Sequence, residues 1–295
     1  MDKIIEHGNL AEASLLLVSG SLSIYAKRDC FRYGTFKQVT ITGESTEDAL
    51  HPNRQANDCF NFRELAMTDW FRLKRLADQR EIAFDQSIWD IASLIHNHAL
   101  ASNRKLENKV LIAEKEGQAA AYAIMAIKKP FTNVKASSQL VEWAGDPIAA
   151  AAMLVHAVKR YELDELLVNI PWYEKLLAEQ LSHYPNKDLE DGFTIRIMDI
   201  ERLIEQLMPY LREKNEQLIE SLCIQRRGDG NFNLRIADLE AVFTSRELLS
   251  LIFDHTDDSS QSSNEMQMGL TNHFKQVLQD LFPIPFPHAA GLNYV

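Results

Sequence analysis

The chain is poor in cysteine, in glycine-rich loops, in positive charge and in long apolar runs. Its three cysteines, Cys30, Cys59 and Cys223, are far apart and odd in number. That pattern supports neither a disulfide framework nor a zinc cluster, and it fits reduced thiols in a cytoplasmic protein. Net charge is −11, from 31 basic and 42 acidic residues, which argues against broad electrostatic binding to nucleic acid or to an anionic membrane. The longest apolar runs, near 119–127 and 148–158, are too short to span a bilayer. The first residues lack the basic-then-apolar pattern of a secretory leader. Gly-x-Ser-x-Gly, Walker and His-Glu-x-x-His motifs are all missing, which removes three common catalytic signatures. A soluble cytoplasmic protein with neither nucleic acid nor membrane as partner is expected.

What is present is ordinary globular material. The chain has 295 residues, 46% hydrophobic and 25% charged, enough for more than one core. The stretch 140–171, LVEWAGDPIAAAAMLVHAVKRYELDELLVNIP, organises the reading. Residues 140–143 predict a buried strand. Asp146 suits a helix N-cap, because its carboxylate can accept a hydrogen bond from a free helical N–H. Pro147 suits the first helical position, where a missing N–H costs nothing. A helix over 149–160 and a strand over 166–170, stopped by Pro171, complete a strand–helix–strand unit of the kind that builds a parallel pair.

Around this unit the pattern predicts further elements. A helix ends at Gly8, a strand covers 13–18, a short helix 22–28 and a strand 36–42. Residues 43–58 are polar and form the first linker candidate. A strand begins at Phe62, helices cover 69–80 and 85–100, and a hairpin joins 110–114 to 118–127 across Lys115-Glu116-Gly117. A helix over 174–182 and a strand over 194–198 follow. Beyond them come an amphipathic helix at 200–211, a second helix from Lys214, and a hairpin of 221–224 with 231–236. A strand at 241–244, a helix at 245–253 capped by Ser245, a low-complexity run at 257–264, a helix at 271–282 and a proline-rich tail close the reading.

Three stretches together resemble a family. Residues 16–34, LLVSGSLSIYAKRDCFRYG, are similar to the later half of a GNAT-type N-acetyltransferase domain, with a tyrosine on a short helix between strands. Residues 110–198, with EWAGD at the turn, resemble the degenerate second acetyltransferase domain of multi-domain enzymes of the enhanced-intracellular-survival type. Residues 199–295, closing in FPIPFPHAAGLNYV, are similar to the sterol-carrier-protein-like domain that ends those enzymes.

The resemblance implies an α+β fold class: an acetyltransferase-like mixed sheet with flanking helices, followed by a sterol-carrier-protein-like α/β domain. It implies three domains: 1–45, the second half of a first acetyltransferase-like domain; 46–198, a second, degenerate one; and 199–295, the sterol-carrier-like domain. The strands and pyrophosphate loop, [Q/R]-x-x-G-x-[G/A], that precede the first stretch in the family are expected to be missing. The implied chemistry is acetyl transfer from acetyl-CoA to an amine, with Tyr25 as acid and the carboxylate of Val295 as base. No cofactor-binding residue is assigned. In the family the turn of the strand–helix–strand unit holds the cofactor's pyrophosphate; here it carries one glycine and an acidic Asp146. Weak or lost catalysis is therefore expected. The alternative is a non-catalytic scaffold that binds a small apolar ligand or a protein partner. An uncovered edge at strand 15–18 would invite pairing with another copy, so a homo-oligomer is expected.

Three other signals are set aside. Residues 225–230, QRRGDG, match the pyrophosphate-loop spacing, but Asn231-Phe232-Asn233-Leu234-Arg235-Ile236 alternates like a strand and Asp-Gly is a hairpin signal. His96 and His98 are two apart and face different directions on a helix, so no metal site is expected. His156 reads as a packed or surface histidine; Glu142 and Asp146 flank the central turn, where a paired-carboxylate site is conceivable, but a strand end and a helix N-cap explain them.

Overall fold

The computed structural model describes residues 1–20, 22–44, 59–129, 134–190, 192–255 and 270–294. In chain order the elements are α1 Asp2–Leu10, β1 Leu15–Val18, α2 Ser23–Ala26, β2 Phe31–Arg32, β3 Thr35–Thr42, β4 Asn61–Glu64, α3 Trp70–Ala77, α4 Ile88–Asn97 and α5 Ala99–Asn103. Next are β5 Glu107–Lys115, β6 Gln118–Ile127, β7 Ser138–Gly145, α6 Pro147–Arg160, β8 Glu165–Pro171, α7 Lys175–Gln180, β9 Asn186–Glu190 and β10 Thr194–Ile197. The rest are α8 Ile200–Ile219, β11 Cys223–Arg226, β12 Phe232–Ile236, β13 Leu239–Phe243, α9 Ser245–Phe253 and α10 Asn272–Leu281.

These elements form two compact units. The central unit is Phe36–Leu189 with Phe286–Val295, and the other is Met1–Thr35 with Glu190–Pro285. The central unit is built on a seven-stranded sheet of order β4-β5-β6-β7-β8-β3-β9. Its β7–β8 pair is parallel, as a strand–helix–strand unit requires. Alternation along β5 and β6 feeds two cores. Leu111, Ala113, Ala121, Ala123 and Met125 pack against α6 and α7. Ile112, Tyr122, Ile124 and Ala126 pack against α3, α4 and α5. With both faces covered, the strands have few polar positions. Helix α6 buries Ala149 to Val155, then Ala157 and Val158; its alanines let the helix backbone lie close to the sheet.

The other unit holds two small sheets, β1-β10-β2 and β11-β12-β13. Strand β1 pairs antiparallel with β10, far along the chain, in the register Leu15 to Ile197 and Val18 to Thr194. The hairpin β11–β12 closes with Arg227 N donating to Asn231 O at 2.8 Å, and Gly230 sits at φ +87°. Residues 225–230 therefore form a strand and its turn, and open no helix that would face a phosphate.

Several local expectations are corrected. Helix α1 continues through Gly8 to Leu10, and Gly8 instead allows a close approach: a Cβ there would lie 3.1 Å from Met198 Cε. The helix expected over 85–100 breaks at His98, which adopts φ +50°; its Nδ1 accepts from Asn108 N at 3.2 Å. Thr244, not Ser245, caps α9, accepting from Glu247 N while Glu247 reaches back to Thr244 N. The break between the two helices after residue 200 falls at Asn215, with extended backbone inside α8. Strands β2 and β9 were not expected. Most of the 43–58 linker and the whole 257–264 run lie outside the described residues.

One buried ion network fixes β4 and the start of α3 to β5. Asp69 has no exposed surface. Its carboxylate accepts from Arg63 Nη1 at 2.6 Å, Arg63 Nη2 at 2.9 Å, Arg72 Nη1 at 3.0 Å and Ala66 N at 2.8 Å. Arg63 also donates to Glu114 Oε1 at 2.7 Å. The Arg63 bonds, outweighing burial, hold the Asp69 carboxyl down at about 2, against 3.8 ordinarily. A depressed acid contributes stability above its ordinary value and loses it as pH falls through the folded value. Replacing Asp69 by Ala leaves Arg63 with Glu114 alone and Ala66 N without its acceptor, and is expected to cost about 3 kcal/mol at neutral pH in urea denaturation. The gap between wild type and variant should close as pH drops from 3.8 toward about 2. Equal midpoints at neutral pH would contradict this account.

Candidate functional site

The site begins where the parallel pairing ends. Strands β7 and β8 are in register only at Ser138–Leu166 and Gln139–Leu167. Ile124 pairs with Glu142 and Met125 with Leu140, so Val141 is an extra residue in β7. Such a bulge bends a strand and re-aims its side chains. Beyond it β7 and β8 part, and a cleft of about 60 Å³ opens between Leu140 to Trp143 on β7 and Asn169 and Pro171 on β8. The α3–α4 connection, with Arg80 and Gln86, and residues of the 286–294 tail complete its wall.

The tail is held by its own fit. Gly291 packs so closely that a Cβ would stand 3.3 Å from the carbonyls of Val141 and His288. Leu292 is buried in the cluster that contains Val141 and Ala144. The Tyr173 hydroxyl donates to Phe286 O at 3.0 Å, and Asn103 Nδ2 donates to the Tyr294 hydroxyl at 2.9 Å.

A charged cluster lies at the floor of the cleft. Arg80 Nη2 donates to Glu174 Oε1 at 3.3 Å, and Arg80 Nη1 stands 3.9 Å from Glu142 Oε2. The Tyr122 hydroxyl, fully buried, donates to Glu142 Oε1 at 3.0 Å. The side chains of Glu142 and Glu174 are only 10% and 14% exposed. Burial raises the pKa of both carboxyls, against the opposing pull of Arg80. Burial likewise disfavours the Arg80 cation, but the two carboxylates outweigh it and the guanidinium is held more firmly charged than usual. Tyr122 is pushed well above the usual tyrosine range, by burial first and then by Glu142.

The strand-to-helix turn follows directly, at the C-terminal end of β7. Asp146 caps α6 as expected: its Oδ1 accepts from Ile148 N at 2.8 Å and Ala149 N at 3.3 Å. Pro147 takes the first helical position. Gly145 is obligatory, with φ +104° and a hypothetical Cβ only 2.2 Å from Ala120 O. Asp146 N donates to that same oxygen at 2.9 Å. The turn is thus pinned to β6, and two amides at the helix start are already satisfied by a carboxylate.

Tyr25 lies on α2, half-buried, in the other unit. Val295 lies outside the described residues. His156 packs its ring against Phe62, with centroids 4.8 Å apart. Arg80, Tyr122, Glu174 and Gln86 were not singled out from the sequence. The available signal was Glu142 itself, a lone carboxylate inside an apolar strand, which demands a partner. Among the described residues no group of three His, Cys, Asp or Glu is placed to hold a metal ion, and no helix is long and apolar enough to cross a membrane.

No protein-family model matches the chain, and no curated protein matches it in sequence. Solved structures do match in fold. A GCN5-related N-acetyltransferase from Kribbella flavida aligns with 97% of this chain and 74% of its own at a TM-score of 0.54 and 10% identity. Another from Anabaena variabilis aligns with 98% of this chain and 74% of its own, at 0.54 and 9%. Eis1 from Mycobacterium abscessus aligns with 97% of this chain and 76% of its own, at 0.54 and 9%. With its mixed sheet, flanking helices and parted parallel strands, the chain is similar in fold to the GCN5-related N-acetyltransferases.

Proposed function

We propose that this chain is an acetyltransferase-fold protein whose central unit has given up acetyl-CoA-dependent transfer and serves as a scaffold for a small ligand or a partner. The observation that carries the proposal is the Asp146 carboxylate seated on the amides of Ile148 and Ala149. A cofactor diphosphate binds a helix start through free N–H groups and the positive end of the helix dipole. Here those groups have a partner, and the partner is an anion. The residues at this turn do not fit coenzyme A. The sequence resemblance of residues 199–295 to a sterol-carrier-like domain supports an apolar ligand for the other unit, which holds all but the last ten of them.

The opposing reading is N-acetyl transfer, with Tyr25 as acid and the Val295 carboxylate as base. Calorimetric titration separates the two. Acetyl-CoA at millimolar concentration should give neither binding heat nor thermal stabilisation. Asp146→Ala should lose about 1 kcal/mol of stability as its cap is removed. Saturable binding to the wild-type protein would reverse the proposal. Tyr25→Phe and removal of Val295 would then be expected to depress turnover.

Self-association belongs to the same proposal. Among the described residues β1 pairs with β10 and with no other strand, and Leu10, Leu17, Leu22 and Ile24 around it are exposed. A free strand edge beside apolar side chains suits antiparallel addition of a second β1. Light scattering should report an oligomer that Leu17→Glu shifts toward monomer; a monodisperse wild-type monomer would refute this part.

A further inference from the structure

Several lysines of this chain answer to a carboxylate: Lys37 to Asp188, Lys74 to Asp78, Lys109 to Glu107 and Lys128 to Asp164. Lys214 does not. Its Nζ donates to Leu281 O and to Pro283 O, both at 3.1 Å, and stands 5.3 Å from the centre of the Tyr210 ring, one turn earlier on α8. Among the described residues no carboxylate pairs with it. All of these groups belong to one unit. Lys214 thus ties α8, just before its extended residue Asn215, to the end of α10 and the residues that follow.

Two carbonyls and no counter-ion suit an amine as well as an ammonium. An ammonium has three N–H groups. Loss of one proton leaves two, the number of acceptors present, and frees a lone pair. The Leu281 contact is part-buried and the Pro283 contact is exposed, so the nitrogen is desolvated on one side and open to a reagent on the other. Desolvation disfavours the charged form, and burial lowers the pKa of this amine. Lysines act as nucleophiles when a partly desolvated site makes the neutral amine available.

We propose that Lys214 is an acylation site for an acyl phosphate, and that acylation loosens the tie between α8 and α10. The Nζ lone pair attacks the acyl carbon. The C–O bond to phosphate breaks, phosphate leaves with that electron pair, and the nitrogen gives its surplus proton to water. The product amide has one N–H where the ammonium had three. It can hold one of the two carbonyls, and it carries no positive charge for the carbonyl end of α10 or for the Tyr210 ring. The donor is a free acyl phosphate, so the inference stands apart from the acetyl-CoA question.

Acetyl phosphate makes the test. The full chain is treated with a limiting amount, in the absence of coenzyme A, and acetylation of each lysine is followed by peptide mass spectrometry. The exposed Lys3 and Lys187 serve as references. At pH 7 Lys214 should react about five times faster than either, because a lowered pKa raises the neutral fraction. That ratio should shrink as pH rises toward 10.5, where an ordinary lysine also loses its proton. In chain acetylated at Lys214, amide hydrogen exchange over 278–284 should speed up. Lys214→Arg keeps a cation with several donors and should retain the slow exchange. Lys214→Gln should lose it, with a thermal midpoint about 2–4 °C lower. The labelling and exchange of the unsubstituted chain decide the matter even where a variant fails to fold. Lys214 reacting no faster than the references at pH 7, a rate ratio that does not fall with rising pH, or unchanged exchange over 278–284 after acetylation would each overturn the inference.

Discussion

Two parallel strands joined by a helix can stay paired only while both backbones run straight. In the central unit the pairing of β7 and β8 stops after two residue pairs, because Val141 is inserted as a bulge and turns the rest of β7 away. Much else follows from that separation. The alanine-rich face of α6 closes one side of the sheet. The opened side needs other chemistry to fill it, and it receives three things: a tail segment around Gly291, a buried arginine with two carboxylates, and a small remaining cleft.

Such a cluster is a poor choice for stability alone. Desolvating two carboxylates and a guanidinium costs several kcal/mol per ion, about what their mutual attraction returns. The upward shift of both glutamates shows burial prevailing over Arg80 at each carboxyl. The Asp69 network behaves oppositely. There the carboxylate has four donors, and its proton affinity falls. One cluster is saturated and structural; the other is under-coordinated and open to a cleft.

Local chemistry was legible in the sequence, and long-range chemistry was not. The Asp146 cap and Pro147 needed only their own neighbours, and both are where the pattern put them. The β5–β6 hairpin and the turn after Arg226 followed from alternation flanking glycine. The requirement for glycine at 145 depends on the Ala120 carbonyl in another strand, which no local pattern reports. Tyr122 sits in an apolar run and reads as core; its bond to Glu142 exists because of the β6–β7 register and its bulge. Strand β9, with the sequence NKDLE, has no apolar alternation, so its strand character comes from the neighbouring β3. His98 gives no glycine signal for the left-handed turn it makes.

The discontinuity of both units has a bearing on biosynthesis. Strand β1 finds its partner only after β10, near residue 194, has been made. The wall of the central cleft waits longer still, for residues 287–293. Closing loops of this span is entropically slow, because the constraint must be met before the contacts repay it. The Leu15–Val18 segment and the parted strands therefore gain their native cover only from residues that lie far along the chain, which makes both of these contacts late ones in folding.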